Sequence, residues 1–234
     1  MFDYKCIAYL NMEENVLWEN RLESSTDLLK YAVDHFKALL QFYQNTVKNL
    51  MIDGEISKTD IDFGIQSLKN LEILKVYSDI DIRQFLPKLR QPLKSFGVEW
   101  KANCEIVTNY GLIYQVPNSI HLPHTKLTYQ QFLRLSAKNV QVNIGYFTET
   151  DICNFVELWQ KGEIGQNFER YVWWLDEDSN FNIDKFIKLV GIKKGRRIKI
   201  KNSKNFGEIA ILSYLEENGR VAKVGMFRSN KNDV

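Results

Sequence analysis

The chain has 234 residues, of which 44% are hydrophobic and 26% are charged. These fractions are close to globular averages and exclude a disordered chain, and this length suffices to bury a core without disulfides or structural metals. The formal net charge is only +2, but it is distributed unevenly along the chain.

The cysteine content and the absence of targeting signals predict a cytoplasmic location. Cys6, Cys104 and Cys153 are an odd number of thiols at wide spacings, which favours reduced cysteines over a disulfide framework. The N-terminal segment MFDYKCIAYL contains Asp3 and Lys5, so it does not resemble a signal peptide. No stretch approaches 18 consecutive apolar residues, and we therefore expect no membrane span.

The first hundred residues predict a β-hairpin followed by long helices. The N-terminal segment alternates between apolar and polar residues, and a short turn then leads into VLWENRL. Ser24 and Asp27 are spaced as a capping box, and apolar residues then recur every three or four positions as far as Leu50. Further helices are expected over 57–68 and 80–95.

The second half predicts a mixture of helices and strands that ends in a β-meander. VEWKANCEIV, GLIYQV and VQVNI are expected to be strands, and a short helix is expected over 128–137. Thr148 and Asp151 form a second capping box, and Asn182 caps a helix that Gly191 ends. RRIKIKN, GEIAILSYL and RVAKVGMF are three expected strands, the last two joined by a tight Asn-Gly turn.

These elements together predict an α+β fold. We expect an N-terminal β-hairpin with long helices and a C-terminal antiparallel three-stranded sheet with flanking helices, without an internal repeat. All four prolines lie between 87 and 123, which is typical of a junction. The expected domains are a hairpin and helical domain at 1–96 and a mixed domain at 97–234, or one continuous domain.

The strongest functional signal is a basic segment near the C-terminus. Between 193 and 204 the chain has seven Lys or Arg residues and no acid. Ile198 and Ile200 would point to one side of a strand, and the alternating cations to the other, about 6.6–7 Å apart. We expect an anionic partner, a nucleic acid or an acidic protein, although lysines also protect solvated edge strands. The expected contacts are Lys193, Lys194, Arg196, Arg197, Lys199, Lys201 and Lys204.

A second hypothesis uses the acidic segment 148–184, which carries nine acids against two bases. Such a surface suits a protein-binding inhibitor or adaptor of the immunity or anti-defence type. The residues expected to contact the partner are Asp176, Asp178 and Trp174. DEDSNFNID resembles a calcium loop, but Phe181 replaces the required glycine and Ile187 the closing glutamate, so no metal is expected.

A third hypothesis is a magnesium-dependent nuclease. Glu99 and Lys101 would share one face of a strand, with Asp81 upstream. Two carboxylates can hold Mg²⁺ while a lysine stabilises the attacking water or the developing charge. His121 and His124 are expected in an exposed loop, because no third or fourth zinc ligand lies nearby.

The sequence contains none of the common nucleotide-binding loops and no serine-hydrolase elbow. Because no coherent catalytic set emerges, the sequence favours a non-enzymatic binding protein without a cofactor.

Overall fold

A computed structural model describes most of the chain as two compact units, Met1–Pro117 and Asn118–Val234. The described residues are 6–12, 15–16, 26–45, 47–54, 64–65, 68–77, 86, 89, 92–99, 111–143, 145–165, 167–175, 181–191, 197–203, 209–217 and 220–229.

The described residues of the first unit form five strands and one long helix. In chain order its elements are β1 (Cys6–Met12), β2 (Asn15–Val16), α1 (Thr26–Phe42), β3 (Asn49–Gly54), β4 (Ile73–Val76), β5 (Ser95–Val98) and a 3₁₀ helix (Gly111–Gln115). The strands lie in the order β2, β1, β3, β4, β5. β1 is antiparallel to both of its neighbours, whereas β3, β4 and β5 are parallel to one another.

The second unit combines parallel and antiparallel strands in one sheet. Its elements are β6 (Ser119–Lys126), α2 (Tyr129–Leu133), β7 (Asn139–Asn143), α3 (Glu149–Gln160), β8 (Arg170–Trp174), α4 (Ile183–Val190), β9 (Ile198–Lys201), β10 (Ile209–Glu217) and β11 (Arg220–Ser229). The strand order is β6, β7, β8, β11, β10, β9. β6, β7 and β8 are parallel, and the remaining neighbours pair antiparallel.

The α+β fold class expected from the sequence is wrong. The β1–β2 hairpin and the β9–β10–β11 meander both form, but each extends a larger sheet that also contains parallel strands. β4 and β5 have four residues each, and periodicity cannot distinguish such short apolar runs from pieces of helix. The helix expected to reach Leu50 ends at Phe42, and Leu50 belongs to β3.

An apolar repeat, which was not expected, accompanies the parallel strands. It has the form Φ-x-x-Φ-x-Φ, where Φ is apolar, and its last two apolar positions lie inside a strand. Its fully apolar and buried copies are Val47-Leu50-Ile52, Leu71-Leu74-Val76, Leu93-Phe96-Val98, Ala137-Val140-Val142 and Phe168-Tyr171-Trp173. The parallel strands begin at 49, 73, 95, 119, 139 and 170. All but the last interval match the repeat of about 20–29 residues that is typical of leucine-rich repeats.

Within each unit, turns that precede consecutive parallel strands are joined by backbone hydrogen bonds. The carbonyl of Lys48 accepts a hydrogen bond of 2.7 Å from the amide of Glu72, whose own carbonyl accepts one of 2.7 Å from Lys94. In the second unit the carbonyl of Lys138 likewise accepts one of 2.8 Å from Glu169. These bonds fix the register of consecutive strands at the point where each strand begins.

The helices of the second unit cover one face of its sheet. The rings of Phe132 in α2 and Phe155 in α3 lie 5.9 and 5.7 Å from the ring of Trp173 in β8, and α4 packs beside α3. The side chains on this face are buried as a continuous core. Among the described helices, none combines the length and apolar character needed to cross a membrane.

Candidate partner-binding face

The side chains that point away from the helices form a second face of the second unit's sheet. In β8, Tyr171 and Trp173 enter the core, so Arg170 and Trp174 point the opposite way. Residues that are paired on neighbouring strands point to the same face of a sheet. The residues of β11, β10 and β9 that lie in the same rows as Arg170 and Trp174 therefore point in the same direction as these two side chains. We call this side the cationic face and define it by Arg170, Trp174, Lys199, Lys201, Lys223 and Phe227.

One row of the cationic face runs across four strands. Arg170 of β8 is paired with Phe227 of β11, Phe227 with Ile211 of β10, and Ile211 with Lys199 of β9. Two half-buried apolar side chains therefore lie between two exposed cations. Three interstrand steps separate Arg170 from Lys199, a distance of about 14 Å.

Four described cations lie on the cationic face, namely Arg170, Lys199, Lys201 and Lys223. Lys199 and Lys201 are exposed, and neither forms an ion pair within the described part of the chain. A surface with a single sign of charge attracts partners of the opposite sign and accelerates their association.

Aromatic rings hold two of these cations in place. Nζ of Lys223 lies 4.5 Å from the ring centroid of Trp174, and Cζ of Arg170 lies 5.5 Å from that of Phe227. The ring of Phe227 also lies across Gly225, where an added Cβ would come within 2.5 Å of ring atom Cε2. The Phe227 ring thus lies close to the backbone of Gly225 and has the guanidinium group of Arg170 over it.

β9 is the outermost described strand of this sheet and is firmly anchored. It pairs with β10 on one side, and no described strand pairs with its other side. At its C-terminal end, Nδ2 of Asn202 donates a hydrogen bond of 2.8 Å to the carbonyl of Trp159. The amide of Ser203 donates one of 2.6 Å to the carbonyl of Gln160. These bonds fasten β9 to the end of α3.

Three of the seven basic residues singled out in the sequence fall in the described part. Lys199 and Lys201 belong to the cationic face, and Arg197 is exposed immediately before β9. The others, Lys193, Lys194, Arg196 and Lys204, lie outside the described residues. Ile200, on the opposite side of β9, is buried, as the alternation predicts.

Sequence analysis missed Arg170 and Lys223, which complete the cationic face. The signal for them was the alternation within RYVWW and RVAKVGMF, which points these side chains opposite to the core residues of the same strands. Their assembly with β9 depends on which strands are neighbours. That neighbour relationship comes from the sheet topology.

The acidic segment has a partly structural role. Trp174 lies on the cationic face beside Lys223, while Asp176 and Asp178 lie outside the described residues. Glu149 is buried, and its carboxylate accepts hydrogen bonds from the backbone N–H of Asn182 and, at 3.1 Å, from Nζ of Lys185. This carboxylate joins the first turns of α3 and α4.

The pKa of Glu149 follows from these contacts. Burial on its own raises the pKa of the carboxyl group, because it disfavours the charged form. The hydrogen bonds from the backbone amides of Asn182 and Glu149 and from Lys185 outweigh burial and bring the pKa below its ordinary value. The carboxylate of Glu149 is therefore ionised, and it is engaged in hydrogen bonds within the protein.

Two of the three residues of the nuclease hypothesis, Asp81 and Lys101, lie outside the described residues. Glu99 directly follows β5, and its amide donates a hydrogen bond of 2.9 Å to the carbonyl of Val76. His121 and His124 lie within β6, so the loop expected for them is wrong. No group of three potential metal ligands occurs among the described residues.

The chemistry available on the cationic face is the binding of anionic groups. Ammonium and guanidinium groups donate charge-assisted hydrogen bonds to carboxylates and phosphates. Comparisons with models of protein families, with curated proteins and with solved structures found no match to this chain.

Proposed function

We propose that this chain is a non-enzymatic binding protein that engages an acidic protein through the cationic face. The observation that carries the proposal is the row in which Phe227 and Ile211 lie between Arg170 and Lys199. Protein interfaces place apolar and aromatic side chains at the centre and polar groups around them. An apolar centre between cations suits a partner that presents carboxylates around an apolar residue.

The arrangement of the rings favours a protein over a nucleic acid. Bases bind to single-strand-binding surfaces by stacking on the open faces of aromatic rings. Arg170 lies over the ring of Phe227, which is also close to Gly225, and Lys223 lies over the ring of Trp174. These rings support the position of cations and are less suited to stack on bases.

The architecture supports a binding role as well. Repeat proteins built from stacked coils commonly bind partners along one extended face. In the second unit, β6, β7 and β8 follow one another as parallel strands, and the helices lie on the other face from the cationic residues. The free thiol of Cys153 supports a cytoplasmic location, which belongs to the same proposal.

The two other hypotheses stay predictions. The inhibitor hypothesis depends on Asp176 and Asp178, and the nuclease hypothesis on Asp81 and Lys101, all of which lie outside the described residues. No described contact favours either hypothesis over binding at the cationic face.

The test is the binding of labelled polyglutamate, measured by fluorescence anisotropy. We expect the double reversal Lys199→Glu/Lys201→Glu to weaken binding about tenfold or more, because it places like charges opposite one another. Lys161→Glu/Lys188→Glu makes the same change in net charge at two exposed residues, one directly after α3 and one in α4, and is expected to have an effect of about twofold or less.

Two results would overturn the proposal. Equal losses in the two double variants would mean that only the net charge matters. Tighter binding to a single-stranded oligonucleotide than to polyglutamate at matched salt would mean that the partner is a nucleic acid and not an acidic protein.

A further inference from the structure

We propose that the acidic partner binds as an extended segment that adds a strand to the outer edge of β9. This inference rests on the proposed function and goes further, because it states the conformation and the residue pattern of the partner. It combines two observations on one strand: an edge that no described strand pairs with, and side chains of opposite character on its two faces.

The edge of β9 is suited to accept another strand. A strand that ends a sheet presents a row of N–H and C=O groups, and extended peptides bind to such rows by main-chain hydrogen bonds. The bonds from Asn202 and Ser203 to the end of α3 hold β9 in place. A fixed edge loses little conformational freedom when a partner strand is added.

The side chains of β9 define the sequence pattern of the segment. Lys199 and Lys201 are exposed on the cationic face, and Ile198 and Ile200 point to the opposite face. In a sheet, side chains on neighbouring strands meet on the same face, and opposite charges stabilise such pairs. The matching segment therefore alternates acidic residues, next to the lysines, with apolar residues, next to the isoleucines.

The same lysines select against a second copy of this chain. Pairing of two β9 edges would bring lysines of both copies onto one face, and like charges directly opposite each other destabilise a sheet. Lysines on edge strands prevent self-association in this way. An acidic segment removes that repulsion, so the edge discriminates between a partner and another copy of itself.

The spacing of the lysines alone does not distinguish a peptide from a nucleic acid. Alternate residues on a strand are about 6.6–7 Å apart, which a phosphate backbone can also follow. Only a polypeptide offers backbone N–H and C=O groups to the edge of β9. The main-chain hydrogen bonds are therefore the feature that an experiment has to examine.

The experiment uses the full chain and a fluorescein-labelled octapeptide of alternating Glu and Val. Its controls are a peptide of the same composition with four Glu followed by four Val, and two N-methylated forms of the parent. One form is methylated at the Glu amides and the other at the Val amides. Only every second N–H of an added strand faces its neighbour, so only one methylated form can lose its hydrogen bonds to β9.

We expect the alternating peptide to bind at least about tenfold more tightly than the block peptide. One N-methylated form should lose binding by about tenfold or more, while the other keeps it within about threefold. Amide hydrogen exchange over 198–201 should slow when the parent peptide is bound, because the new bonds protect this edge. A peptide with Lys in place of Glu should bind the Lys199→Glu/Lys201→Glu variant.

The outcomes separate this inference from the proposed function. If polyglutamate binds but both N-methylated peptides bind like the parent, the cationic face recognises charge alone and the strand addition is wrong. Unchanged hydrogen exchange over 198–201 would lead to the same conclusion. If neither polyglutamate nor any of the peptides binds, the proposed function itself is wrong.

Discussion

The ring of Phe227 lies across Gly225, two residues before it in β11, so closely that a Cβ at Gly225 would come within 2.5 Å of it. A glycine at this position leaves room for the ring, and the ring in turn lies beneath the guanidinium group of Arg170. The lack of a side chain at Gly225 thus permits the position of the Phe227 ring, and this ring in turn lies next to the guanidinium group of Arg170.

We expect Gly225→Ala to displace the Phe227 ring and to destabilise the fold by about 1–3 kcal/mol, as overpacking generally does. Urea unfolding measures the change in stability. Gly111→Ala is the matched control, because a Cβ there would meet nothing within 4 Å. Equal stability of the two variants would show that the ring moves without strain.

Phe132 is expected to be a major contributor to the core of the second unit. Its ring lies 5.1–5.9 Å from the rings of Phe147, Phe155, Tyr171 and Trp173. Phe132→Ala should therefore reduce the free energy of unfolding by about 3–5 kcal/mol. Tyr146→Ala removes a ring that is 64% exposed and should change it by about 0.5 kcal/mol or less. Similar denaturation midpoints for the two variants would contradict this assignment of the core.

The buried carboxylate of Glu149 should make stability depend on pH. Its pKa is below the ordinary value of 4.5 in the folded chain, so its contribution is fully present above that value. The contribution is lost as the pH falls through the folded pKa. Glu149→Gln should destabilise the fold by about 1–3 kcal/mol at pH 7 and flatten the acid limb of the stability curve.

Glu157→Gln is the control for this experiment, because Glu157 is exposed on the same helix. Thermal unfolding between pH 3 and 7 compares the two variants with the parent chain. An acid limb of unchanged slope in Glu149→Gln would show that other carboxylates determine the pH dependence.

The thiol of Cys153 should react slowly. Burial raises its pKa to about 11, and the negative charges of Glu157 and Glu149 add to this effect. Since the thiolate is the reactive form, we expect alkylation by iodoacetamide at pH 8 to be about a hundredfold slower than for an ordinary thiol. Mass spectrometry of the Cys153 peptide measures the rate, with the urea-unfolded chain as reference. Equal rates in the folded and unfolded chains would contradict the burial of this group.

Elements that carry their own local signals could be predicted from the sequence. Asn182 caps α4 through a hydrogen bond of 2.9 Å from the amide of Lys185, and Gly191 ends the helix with φ of 71°, both as expected. The capping box of Thr148 and Asp151 is likewise confirmed. In each case the signal and the element lie within a few residues of each other.

The parallel strands could not be recognised in the same way. β4 and β5 gain their stability from neighbours more than 20 residues away, and four residues contain too little periodicity to reveal a strand. The evidence lay in the recurrence of apolar triplets such as Leu71-Leu74-Val76 along the chain.

The cationic face was only partly foreseen for a related reason. Lys199 and Trp174 were identified within their own segments, whereas the face joins four strands whose adjacency no single segment encodes.

The stacking of Lys48, Glu72 and Lys94 has a consequence for how the first unit folds. Parallel sheets usually form slowly, because their strands are distant along the chain and a large loop must close before they meet. Here every parallel strand pairs with the next one in the sequence, so each closure spans only about two dozen residues. Folding can therefore begin at any one parallel strand with its connecting segment and then propagate to the adjacent ones. A sequence built in this way can lengthen by duplication of one strand and its connecting segment, without changes to the residues of the strands already present.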